Sequence, residues 1–144
     1  MNRGERPESP HDRRPGPRVL AAIALGAMPG AAARYGLTRV VPTHAGEFPW
    51  ATFLTNVSGS FALGFLLVLL VERFPPSRYA RAFAGTGFLG AYTTFSTFSV
   101  EADLLVKDGH ITMAIAYVAA SLLFGLTLTV TGITAARLIP RRLR

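Results

Sequence analysis

Apolar residues in this chain gather in four blocks, at about 19–41, 50–71, 82–106 and 111–139, and charged residues are largely confined to the joints between them. A run of about 20 apolar residues matches the roughly 30 Å hydrocarbon core of a bilayer. The pattern therefore predicts an all-α integral membrane protein with four transmembrane helices. The block at 50–71 carries no Asp, Glu, Lys or Arg and is the clearest helix of the four. The first block is interrupted by Arg34 and Arg39 near its far end. Its basic lead-in and Ala31-Ala32-Ala33 also resemble a secretory signal. The three later blocks, and Arg34-Tyr35 read as an interfacial anchor, favour a retained span. Pro75-Pro76 in the second joint stops a helix, and Lys107-Asp108-Gly109-His110 reads as a tight polar turn. Residues 1–17, charged and Pro-rich, are expected to be a disordered tail. Residues 18–144 then form one membrane domain, with no room for a soluble one.

Composition changes this picture in two ways. The chain has no cysteine, which excludes disulfides and thiolate metal sites. Its net charge of +7 would suggest nucleic acid in a soluble domain. Here the basic residues flank apolar blocks, so topology and lipid headgroups are the better explanation, and no nucleic-acid partner is expected. An even number of spans puts both termini and the 72–81 joint on one side. That side holds twelve arginines: Arg3, Arg6, Arg13, Arg14, Arg18, Arg73, Arg78, Arg81, Arg137, Arg141, Arg142 and Arg144. The other holds three basic residues, Arg34, Arg39 and Lys107. The bias predicts a multi-pass protein of the cell membrane with both termini in the cytoplasm.

Ionisable groups inside a span usually mark transport coupling, and only Glu101, at the exit of the third block, is a candidate. A small four-span multidrug-type exporter is the alternative reading, and it would have to rely on Glu101. A membrane scaffold whose polar faces merely pack is a third. The polar content is instead neutral. Thr52, Asn56 and Ser60 recur every four residues before Gly64, so they share one helix face. One reading is a small-residue packing face, where Ser60 and Gly64 let two helices approach closely and Asn56 bonds across the gap. Asn56 stands out because a buried amide has two donors and an acceptor oxygen to satisfy. Tyr117 and Ser121 are likewise four apart in the last block.

The third block contains GAYTTFSTFSVE, Gly90 to Glu101. Gly90 and the adjacent β-branched Thr93 and Thr94 make a poor helix centre, and Ser and Thr offer the backbone competing hydrogen bonds. One reading is an unbroken helix whose hydroxyls bond back to their own carbonyls. The other is a break that frees carbonyls near mid-membrane, which is tolerated only where they are buried or bind something. Such carbonyls suit a small hard cation such as sodium. Phe95 and Phe98 share a face. The positive edges of their rings, beside hydroxyl and amide donors, could line an anion passage without a fixed charge.

Three segments, Gly87–Glu101, Thr55–Gly64 and Gly26–Tyr35, resemble the signature segments of the fluoride-specific channel family, Fluc/CrcB. The resemblance covers about residues 20–140. It implies a passive fluoride channel, not an enzyme, that lowers intracellular fluoride. It also implies an antiparallel dimer with two pores and a structural sodium ion on its axis. By match to the motif, the backbone carbonyls of Gly90 and Thr93 would hold the sodium. Phe95 and Phe98 would present ring edges, and Asn56 an amide donor, to the fluoride pore. Tyr117 and Ser121 match a polar track in the last span, and Thr94 and Ser96 are further lining candidates. Ala27, Pro29, Ala51 and Ala91 depart from the family pattern. The arginine bias suggests a fixed orientation, hence pairing with an oppositely oriented paralogue rather than self-pairing.

Overall fold

The computed structural model describes residues 15–73 and 77–139, and all regular structure among them is helical. The expected tail therefore lies, up to residue 14, outside the described residues, as do Pro75-Pro76. Pro17 already opens the first helix, α1 (Pro17–Val40), at a position where its missing N–H costs nothing. α1 runs without interruption through Pro29. α2 (Trp50–Val68) continues into a π-helical turn, Leu69–Arg73. The next segment is assembled from short pieces. α3 (Arg78–Arg81) is capped by the Ser77 side chain and leads into a π-helical stretch, Ala82–Leu89, then α4 (Gly90–Tyr92). After two extended residues come α5 (Phe95–Lys107) and α6 (Ile111–Arg137). Gly109, at φ +83°, makes the turn between α5 and α6, a backbone conformation that glycine adopts without steric cost.

Among the described residues, three helical stretches are long and apolar enough to cross a bilayer: Pro17–Val40, Trp50–Glu72 and Ile111–Arg137. Two seams hold the molecule together. α2 packs along α6, and α1 packs along Ala82–Leu89. Both depend on missing side chains. A Cβ on Gly26 or Gly30 of α1 would overlap the Phe83 or Phe88 carbonyl, and one on Gly132 of α6 would overlap that of Phe61. Removing the Cβ lets two backbones approach closely, which is how helices associate where the surroundings are as apolar as they are. The core lies where α2, α5 and α6 meet, around Phe53, Val57, Leu105, Ala114 and Tyr117. Phe48 closes it with ring edges against Phe53 and Tyr117. Elsewhere large apolar side chains face outward, among them Leu122, Leu123 and Leu126 on α6.

Candidate functional site

The centre of the site is a knot between α2 and the junction of α4 and α5. Thr93 and Thr94 are extended (φ −77°, ψ 158° and φ −148°, ψ 125°), so the helical path stops at Tyr92 and restarts at Phe95. Asn56 reaches across from α2 and binds both backbone groups of Thr94. Its Nδ2 donates to the Thr94 carbonyl and its Oδ1 accepts the Thr94 N–H, each at 2.9 Å. The Thr94 hydroxyl caps α5 by accepting the Thr97 N–H at 3.2 Å, and donates to Thr97 Oγ1 at 3.0 Å.

These bonds redirect two specific donors. In a continuous helix the Thr94 N–H would go to the Gly90 carbonyl and the Thr97 N–H to the Thr93 carbonyl. Here they go to Asn56 and to the Thr94 hydroxyl. The carbonyls of Gly90 and Thr93 thus lose their helical partners, and bare backbone oxygens are what a small hard cation takes. Among the described residues no cluster of His, Asp or Glu side chains competes for that role. The hydroxyls of the motif divide between the two readings of the sequence. Thr93 and Ser99 bond back to Leu89 and Phe95 carbonyls, whereas Thr94 works as a cap.

Asn56, Thr94, Phe95 and Phe98 face a cavity of about 410 Å³. Gly90, Thr93 and Ser121 also line it, and no charged side chain among the described residues does. The Phe95 and Phe98 rings lie 5.9 Å apart and tilted; Phe98 is half-buried while Phe95 is 80% exposed. Ser121 Oγ is buried with no hydrogen-bond partner among the described residues, an omission that ordinarily costs about 1–3 kcal/mol. Asn56 retains one Nδ2 hydrogen beyond its bond to Thr94.

Two of the sequence candidates sit elsewhere. Ser96 does not line this cavity; its hydroxyl lies 3.3 Å from that of Thr94. Tyr117 is fully buried in the core and its hydroxyl donates to Glu101 at 2.8 Å. Thr52 donates to the other Glu101 oxygen at 2.9 Å. This Thr52–Glu101–Tyr117 cluster was not assembled by sequence reasoning, although each member is a polar residue in an apolar block. The helix face of Thr52, Asn56 and Ser60 is real, yet its first two members serve different neighbours, α5 and the Thr94 backbone.

The family model described as "CrcB-like protein, Camphor Resistance (CrcB)" matches residues 21–133. The chain is 49% identical over 127 residues to "Fluoride-specific ion channel FluC 3" of Streptomyces avermitilis, covering 88% of this chain and 62% of that protein. It is 45% identical over 121 residues to "Fluoride-specific ion channel FluC 2" of Nocardia farcinica, covering 84% and 86% of the two chains. A third relative, "Fluoride-specific ion channel FluC 1" of Streptomyces coelicolor, is 44% identical over 119 residues, covering 83% and 77%. Every residue of the Asn56–Thr94 knot and its cavity falls within the matched range, and with helices suited to a bilayer on either side of them, the chain is a multi-pass membrane protein that belongs to the CrcB family.

Proposed function

We propose that the chain is a fluoride-selective passive channel that lets fluoride leave the cytoplasm and so lowers its concentration there. The names of its relatives, fluoride-specific ion channels, support this reading. The observation that carries it is the cavity, where Asn56, Phe95, Phe98 and Ser121 converge and no charged side chain enters. Stripping water from an ion is expensive, of order 20 kcal/mol even for a carboxylate-sized one by idealised Born estimates. A small anion therefore needs several close donors. The free Nδ2 hydrogen of Asn56, the unpartnered Ser121 hydroxyl and the positive edges of two phenyl rings supply them. With no arginine or lysine among them, the anion is stabilised without being trapped. It follows its own gradient, and no bond is made or broken.

In this reading the segment from Arg78 to Lys107 is the third of four spans, a helix broken near mid-membrane at Thr93–Thr94. The carbonyls of Gly90 and Thr93 hold a structural sodium ion there, which supplies fixed positive charge between paired subunits. Phe95, so exposed in the single chain, is covered by an antiparallel partner, with lipid around the remaining apolar surface. Both termini face the cytoplasm. The arginine bias favours an oppositely oriented paralogue over a second copy of this chain; glycosylation mapping that found both orientations in equal amounts would exclude that choice.

The test is fluoride efflux from liposomes carrying the purified chain, read with a fluoride electrode, with chloride as the comparison. Rapid efflux that excludes chloride is expected, from the chain alone or with its oppositely oriented partner. A well-folded chain that passes no fluoride in either setting would overturn the reading.

A further inference from the structure

Serine and threonine in an apolar helix normally satisfy their hydroxyls on the carbonyl one turn back. On α2 and α6 many do so: Thr55 bonds to Ala51, Ser58 to Leu54, Thr127 to Leu123 and Thr129 to Gly125. Ser60 and Ser121 differ. Ser121 Oγ has no partner, and the Ser60 hydroxyl makes no hydrogen bond among the described residues, although its carbonyl accepts from Thr129. The two serines are on different helices, α2 and α6, yet line the same cavity.

The residue one turn beyond Ser121 on α6 is Gly125. A Cβ placed there would meet a single neighbouring atom, Ser60 Oγ, at 3.6 Å. The glycine thus leaves the Ser60 hydroxyl bare at the point where the polar face of α6, having passed Ser121, offers no side chain of its own. We infer that Ser60 is a further anion-contacting residue, donating its hydroxyl to a small desolvated anion next in line after Ser121. This rests on the channel reading above. It replaces the packing role that the small-residue face of α2 suggests for Ser60 with a chemical one, and makes Gly125 the residue that exposes it.

The experiment is the liposome efflux assay on Ser60→Ala, Gly125→Ser and the double variant, each checked for unchanged melting temperature in detergent. Ser60→Ala is expected to slow fluoride efflux at least about tenfold, the lower end for losing one donor to a charged group. Gly125→Ser puts a Cβ 3.6 Å from the Ser60 Oγ position, so its hydroxyl reaches the same point in the rotamers that do not bond back to Ser121, and the double variant is expected to recover part of the wild-type rate. Packing alone would give neither result. A wild-type rate in Ser60→Ala, or a loss that Gly125→Ser leaves unrepaired in a protein of unchanged stability, overturns the inference. A wild-type chain that conducts no fluoride is a different failure: it fells the channel reading itself, and this inference with it.

Discussion

Thr52 and Asn56 lie one turn apart on the same face of α2, and their surroundings could hardly differ more. Around Thr52 there is a charge with both oxygens engaged: Glu101, half-buried beside the aromatic core and lining a second cavity of about 230 Å³, accepts hydroxyls from Thr52 and Tyr117. Around Asn56 there is no charge, and donors are left over beside a 410 Å³ cavity. The molecule keeps its ionisable group capped and its neutral donors open. Proton-coupled export would place a carboxylate on the path itself, and Glu101 does not line the cavity that Asn56 faces. The comparison therefore favours passive movement of an anion over the exporter alternative.

Breaking the open side should have the largest effect. Asn56→Ala removes the partner of both Thr94 backbone groups and a donor facing the cavity together. Losing a donor to a charged group, about 1.5–3 kcal/mol, corresponds to at least tenfold in rate, and the unpinned Thr94 adds to it. Fluoride efflux is expected to fall about a hundredfold. The decisive control is Asn56→Asp, which keeps an acceptor for the Thr94 N–H but places a negative charge at the cavity and should be as inactive.

Phe95→Ile and Phe98→Ile keep apolar bulk and remove the ring edge. If the rings contribute through their quadrupole, worth about 0.5–1.5 kcal/mol in aromatic contacts, each variant slows efflux up to about tenfold. Wild-type rates in both would show that the rings only pack. The capped side should respond differently. Glu101→Gln preserves shape and keeps one acceptor oxygen but presents its amide NH₂ toward one of the two hydroxyls that now donate, and a mispaired buried group costs about 1–3 kcal/mol. The expected result is a lower melting temperature in detergent, with no pH-gradient-driven flux to lose. A proton-driven efflux abolished by this variant would instead revive the exporter reading.

The smallest effect falls between the two regions, at the cap. Thr94→Ala removes the side chain that accepts the Thr97 N–H, at about 1 kcal/mol for a lost N-cap. Hydrogen exchange should rise in the first turn of α5 and little elsewhere. Thr94→Ser should restore protection, which a purely steric role for the threonine methyl would not allow.

Much of the architecture follows from local pattern. Apolar blocks bounded by charged or Pro-rich joints place α1, α2 and α6 within a few residues of their observed ends, because the bilayer length and the hydrophobic run are one constraint. The weak helical propensity of Gly90 and the Thr93-Thr94 pair marks where the path is interrupted, since both are short-range effects. Ser96 and Tyr117 show the limit of that reading. Each sits at a spacing compatible with the cavity, but one lies beside the cap and the other is turned into the core by Glu101.

What only the tertiary structure decided is which donor meets which acceptor. Asn56 and Thr94 are 38 positions apart, and Thr52 and Glu101 are 49 apart. No periodicity connects them, because the angle and depth at which two helices pack set those meetings. The same holds for what is left unpaired. Ser58 and Ser60 are chemically identical and two positions apart, yet one finds a carbonyl and the Tyr92 hydroxyl. The other faces a glycine across the α2–α6 seam. The sequence by itself determined where the helices run and which polar groups are available; their packing decided which of those groups are spent on the fold and which stay unpaired beside the cavity.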